Sequence, residues 1–144
     1  MATRRLGVLT GGGDTAALNA TLRGIALGAE AAGFDVIGIE AGWAGMLASG
    51  SAVHLPASAI DPNRGGTVIR SSRTNLRAVE GGMEQASARI TRLGLDALVA
   101  IGGEAARALV DLKIDHAFAA CEYFWDENGE LLHWNLLPCD YEGK

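Results

Sequence analysis

No apolar run in this 144-residue sequence is long enough to cross a bilayer, so no membrane-spanning segment is expected. The opening stretch MATRRLGVLTGGG lacks the apolar core and cleavage site of a secretory signal. The expectation is a cytoplasmic protein. Positive charge is not in excess: the formal net charge is −5, which gives no reason to expect a nucleic-acid partner. Cysteine is scarce as well. There are two, Cys121 and Cys139, and in a cytoplasmic chain two thiols are the default. Aromatics are nearly missing from residues 1–113, which hold only Phe34 and Trp43.

What is present is a globular composition, with 49% hydrophobic and 20% charged residues. The length suits one domain with a real core. Its character changes near residue 114. Residues 1–113 carry 11 Lys/Arg against 10 Asp/Glu, a net of +1. Residues 114–144 carry one Lys against seven Asp/Glu, a net of −6, with six aromatics and both cysteines. Two sequences of different character joined near residue 114 explain this shift. An aromatic C-terminal edge on one ordinary domain explains it equally well.

The local patterns alternate between strand and helix. Arg4–Thr10 is a short apolar run before glycines, as in a buried parallel strand. Ala16–Ala32 places Leu18, Leu22, Ile25, Ala26 and Ala29 on one helical face, with Gly33 as the stop. Phe34–Glu40 is a second strand, and this order builds parallel sheets. Ala41–Asn63 reads as a loop, a short helix and a strand around Val53–Leu55. Val79–Leu93 is helical, with Met83, Ala86, Ile90 and Leu93 buried and Gly94 as the stop. Leu95–Gly103 is another strand, Glu104–Leu112 another helix, and Ile114–Ala120 a further strand.

The tail predicts a β-hairpin. Asn128-Gly129 is a type I′ turn signal. It sets Trp125 opposite Leu132, Tyr123 opposite Trp134 and Cys121 opposite Leu136, all on one face.

Two segments have the form strand, glycines, acid, helix: LTGGGD and AIGGE. In a parallel sheet both open at the carboxyl edge, where ligands bind in open α/β folds. Glycine lets backbone approach a phosphate, and the helix start offers free N–H groups. Asp14 is placed to cap the first helix or orient a basic group, and Glu104 to hold Mg²⁺. No Gly-Lys-Ser/Thr follows either loop, so neither is a P-loop. Glycine-rich turns of this kind are also common without a ligand. RGGTVIRSSR adds Arg64, Arg70 and Arg73, an anion-binding stretch or simply surface arginines on a polar loop.

Taken together, GVLTGGGDTAALNATLRGI, AGWAGM, RGGTVIRSSRTN and EGGMEQASARITRLGLDALVAIGGE resemble the amino-terminal part of the 6-phosphofructokinase family. The similarity is greatest to the bacterial branch that uses ATP or pyrophosphate. It covers most of residues 4–113, less than half of a family member's length. It implies a Rossmann-like three-layer α/β domain with a mostly parallel sheet, here with a C-terminal β-hairpin. It also implies a nucleotide or phosphate ligand with Mg²⁺, and phosphoryl transfer to fructose 6-phosphate in glycolysis. A homo-oligomer is left open. By motif, Gly12 and Gly13 would lie against the phosphates. Gly103, Glu104 and Ala105 would form the second phosphate loop, with Glu104 the magnesium acid. Trp43 and Arg77 would fall near the nucleotide, and Arg23 and Arg64 match effector-site arginines.

The resemblance also shows where this chain departs from the family. Thr15-Ala16-Ala17 replaces Cys-Pro-Gly or Ala-Pro-Gly. Arg70 stands at a family glycine, and Ala105 and Ala106 replace Asp or Gly followed by Ser or Thr. CEYFWDENGE occupies the region of the family's catalytic Thr-Ile-Asp-Asn-Asp. Residues 1–113 are therefore expected to be a phosphofructokinase-like nucleotide-binding domain. Residues 114–144 are expected to be a divergent acidic tail packed on the same domain. The chain is expected to be catalytically incomplete; the alternative is a non-catalytic structural or protein-interaction domain.

Overall fold

The computed structural model describes residues 3–102, 108 and 112, together with two strands at 119–125 and 131–138. The described elements form a mostly parallel sheet with helices on its faces, as the sequence pattern predicts. Strand β1 is Arg4–Gly11, helix α1 Leu18–Ala31, β2 Phe34–Ile39, β3 Ala52–His54 and β4 Ser71–Ser72. Helix α2 is Gly82–Leu93, β5 Ala97–Ile101, β6 Ala119–Trp125 and β7 Leu131–Pro138. Short 3₁₀ turns lie at Gly42–Met46, Ala57–Ala59 and Leu76–Ala78.

The strand order is β3-β2-β1-β5-β6-β7, with β4 paired to the end of β1. β1 runs parallel to β2, β4 and β5, and β5 runs parallel to β6. Among the described strands, only β2–β3 and β6–β7 are antiparallel. β1 is thus central and apolar on both sides, as a parallel strand must be when helices cover both faces.

Side-chain alternation divides the core in two. Val8 and Val36 pack with Leu22, Ala26 and Ala29 of α1. Leu9, Ile39, Leu98 and Ala100 pack with Ala86 and Ile90 of α2. Each fully buried Leu or Ile here is worth about 1.5–3 kcal/mol relative to exposure. In α2 the expected stripe holds: Ala86 and Ile90 are buried, and Met83 and Leu93 pack against the same cluster. Gly94 ends that helix in the left-handed conformation at φ 62°, which glycine adopts without steric cost.

Arg4 and Arg5 use the same alternation at the amino end of β1. Arg4 Nη2 donates to the Ala32 carbonyl at the end of α1 (2.9 Å), and its guanidinium lies over the Phe34 ring. Arg5 Nη1 donates to the Leu93 carbonyl at the end of α2 (2.9 Å). Two consecutive residues therefore satisfy the open carbonyls of two helices on opposite faces. Helix α1 also fastens the segment after β3. Arg23 Nη1 donates to the Ala57 and Ile60 carbonyls, and the Ala57 N–H donates to Glu30 Oε1.

Two expectations need correction. Asp14 does not cap α1: the helix begins at Leu18, its N-cap is Ala17, and no side chain caps it. β6 is one strand that joins the sheet beside β5 and also forms the hairpin with β7. Tyr123 is opposite Trp134 and Cys121 opposite Leu136, as expected. Trp125 is opposite Leu131 instead of Leu132, because the register shifts between Phe124 and Trp125. The Asn128-Gly129 turn, the Glu104–Leu112 helix and residues 114–118 of the expected strand lie outside the described residues, except for positions 108 and 112.

Candidate functional site: paired glycine loops

The parallel pairing of β1 with β5 places Thr10 beside Ile101, so the two glycine segments leave the sheet side by side. They touch through backbone. A Cβ added to Gly102 would overlap the Gly11 carbonyl oxygen, and Gly102 has a φ of 121°. That conformation and that proximity both require glycine.

The first loop is open toward solvent. Among the described residues, nothing lies within 4 Å of where a Cβ on Gly12 or Gly13 would sit. Gly13, Asp14, Thr15, Ala16 and Ala17 are all exposed. The Gly12 N–H is already donated to the Ser72 carbonyl (3.0 Å), so an anion at this loop would be met from Gly13 onward.

A hydroxyl network fixes the arginine-bearing segment 64–73 against this loop. Thr10 is fully buried, and its Oγ1 donates to the Arg70 carbonyl (2.9 Å) and accepts from Thr67 Oγ1 (3.1 Å). Ser71 Oγ donates to the Gly12 carbonyl (2.9 Å). Ser72 Oγ donates to the Ala41 carbonyl (2.7 Å). Asn19, 2% exposed, accepts from the Val68 N–H (2.7 Å) and donates to the Arg64 carbonyl (2.9 Å). Its own N–H donates to the Gly66 carbonyl (3.1 Å), and the Asp14 carboxylate lies beside the Gly66 backbone. These buried polar groups have partners, as burial requires.

The three arginines of the segment are exposed. Arg70 Nη2 pairs with Glu40 Oε1 at 3.2 Å. Ser51 Oγ also donates to Glu40. These two hydrogen bonds, Ser51 first, hold the Glu40 carboxyl below its ordinary value of 4.5. Trp43 is 3% exposed and packs in the core cluster with Leu9, Ile39 and Met46. Arg77 is exposed on the 3₁₀ turn after Asn75, whose Oδ1 accepts from the Arg77 N–H. Gly103, Glu104 and Ala105 lie outside the described residues.

The sequence pattern gave Glu40, Ser51, Thr10 and Ser72 no role. The available signal was their placement: Thr10 and Ser72 carry the hydroxyls of strand residues directly flanking the glycine loop. Among the described residues, no three His, Cys, Asp or Glu converge as a metal site. A phosphate-bridging ion needs no such cluster, because Mg²⁺ is commonly held by one or two carboxylates, waters and the ligand's phosphates. Among the described residues, no helix is long and apolar enough to cross a membrane.

The family model described as Phosphofructokinase matches residues 5–118. The chain is 41% identical over 135 residues to the pyrophosphate–fructose 6-phosphate 1-phosphotransferase of Amycolatopsis methanolica, covering 83% of this chain and 39% of that protein. It is 39% identical over 103 residues to an ATP-dependent 6-phosphofructokinase of Thermus thermophilus, covering 70% of this chain and 32% of that protein. The fold superposes on Saccharomyces cerevisiae phosphofructokinase with a TM-score of 0.64 at 28% identity, over 75% of this chain and 15% of that one. Against Pichia pastoris phosphofructokinase in the T-state the TM-score is 0.71 at 24% identity, over 78% of this chain and 12% of that one. The chain spans about a third of the length of the curated relatives it matches.

Proposed function

Because the chain belongs to the phosphofructokinase family, we propose that its paired glycine loops bind the phosphate chain of ATP or pyrophosphate with Mg²⁺. The observation that carries this is the backbone contact of Gly11 with Gly102, which brings two glycine loops to one sheet edge. Ligands of open α/β sheets bind at that edge.

In this proposal Gly12 and Gly13 form the open floor of the first loop. The N–H groups from Gly13 onward face the phosphates, with the positive end of α1 behind them. Gly103, Glu104 and Ala105 form the second loop, and Glu104 supplies the carboxylate for Mg²⁺. A bound Mg²⁺ would neutralise charge on the phosphates it bridges. Trp43 acts through the core, fixing the Gly42–Met46 turn: a Cβ on Gly42 would lie 2.6 Å from the Thr10 carbonyl oxygen. Arg77 extends the site on the side of α2.

Phosphoryl transfer to a sugar hydroxyl also needs a base and a sugar-phosphate site. CEYFWDENGE stands where the resemblance would put the family's catalytic acid segment. The proposed role is therefore donor binding without independent turnover. Calorimetry with Mg-ATP and Mg-pyrophosphate tests it, with Glu104→Ala and excess EDTA as controls. Binding that weakens in both controls is expected. No binding of either ligand by the parent chain would refute the proposal. A coupled assay with fructose 6-phosphate should show no turnover above background. The alternative, a structural or protein-interaction domain, predicts no ligand binding by either loop.

A further inference from the structure

Arg70 has a conformation that its own side chain does not explain. Its φ is 59°, and only one other non-glycine among the described residues is left-handed, Ala41, also at 59°. The two are joined: the Ala41 N–H donates to the Ile69 carbonyl (2.8 Å), and Ser72 Oγ donates to the Ala41 carbonyl (2.7 Å). Such a conformation is strained for a residue with a Cβ and persists only where neighbours over-determine it. Here they do. The Arg70 N–H donates to the Thr67 carbonyl, and its own carbonyl accepts from the buried Thr10 hydroxyl. The backbone is fixed on both sides, while the side chain stays 69% exposed and is not part of the core.

The position matters more than the strain. Arg70 directly precedes Ser71, which pairs with Thr10 and holds the Gly12 carbonyl. Thr10 pairs with Ser71 on one side and with Ile101 on the other, so the Arg70 backbone stands one residue before the strand that flanks the end of β1. The Arg70 side chain thus starts beside a strand that lies one strand spacing, roughly 4.8 Å, from the carboxyl end of β1. Rotation of a long, exposed side chain covers that distance without moving the backbone.

We propose that Arg70 is an anion-binding arm of the phosphate site, parked on Glu40 and recruited by a polyphosphate ligand. This rests on phosphate binding at the paired glycine loops. An exposed ion pair is weak and easily exchanged. A di- or triphosphate offers several charged oxygens in the fork geometry that suits a guanidinium. Glu40 keeps the Ser51 hydroxyl when Arg70 leaves, so no carboxylate is left without a partner. The arm would confer a preference for ligands with adjacent phosphates over monophosphates.

The test is calorimetry of the whole chain with Mg-pyrophosphate and with inorganic phosphate. The variants are Arg70→Gly and Glu40→Gln. Arg70→Gly should weaken pyrophosphate binding about tenfold and phosphate binding much less. Glycine is at ease at this φ, so the variant's unfolding midpoint should not fall, which separates lost binding from lost fold. Glu40→Gln should tighten pyrophosphate binding about two- to fivefold by releasing the arm. Unchanged pyrophosphate affinity in Arg70→Gly, or weaker affinity in Glu40→Gln, overturns the arm and leaves phosphate binding at the loops standing. No pyrophosphate binding by the parent chain removes both.

Discussion

Gly102 lies so close to the Gly11 carbonyl that a single methyl group on it would overlap that oxygen. The two loops therefore share one backbone contact and cannot be altered independently. Gly102→Ala adds both the overlap and a strained φ, and should destabilise the protein by about 2–4 kcal/mol. Urea unfolding measures this. An unchanged midpoint would mean that the loops separate easily.

Asn19 ties the segment at 64–68 to the start of α1 through two side-chain hydrogen bonds. Asn19→Ala removes both and should cost about 2–3 kcal/mol by chemical denaturation. Asn19→Asp keeps the acceptor for the Val68 N–H but sets a carboxylate against the Arg64 carbonyl. It should recover little of the loss at neutral pH.

Glu40 gives a pH signature. Its carboxyl is held below 4.5 in the folded chain by Ser51 and then by Arg70. A depressed folded value means that its contribution to stability is complete above its unfolded value. The contribution is lost as pH falls through the folded one. Carboxyl titration by NMR should show Glu40 protonating below 4.5, and Ser51→Ala and Arg70→Gly should each raise its midpoint.

Arg4 and Arg5 hold different helices, so their effects should be independent. Arg4→Ala and Arg5→Ala should each cost about 1 kcal/mol, through a lost hydrogen bond to a helix-terminal carbonyl. The double variant should lose the sum to within about 0.5 kcal/mol. A large non-additive term would show that the two helix ends communicate.

The alternation of strand and helix was readable because it depends on burial, and burial repeats with a period. Val8, Leu9, Leu22, Ile90 and Leu98 sit where the apolar pattern placed them. The glycine loops were readable because their form is local. The Arg70–Glu40 pair was not, since the left-handed arginine is held in part by the hydroxyl of Thr10, sixty residues away, which no local pattern connects to it. The Asp14 cap failed because α1 starts at Leu18, four residues beyond Asp14. The Trp125 pairing failed because one irregularity in a ladder displaces the pairs beyond it.

The central position of β1 has a consequence for the order in which the molecule is made. β1 precedes the other described strands in the chain, yet one of its two long neighbours, β5, comes about ninety residues later: the Arg5 N–H meets the Asp96 carboxylate across 91 positions. At ordinary synthesis speeds that is a delay of roughly 5–20 s. During it, the β5-facing edge of β1 has no β5 to pair with, and Leu9 lacks Leu98 and Ala100 of its core cluster. That edge is completed only when Leu98 and its strand follow, and the contact between Gly11 and Gly102 can form only then.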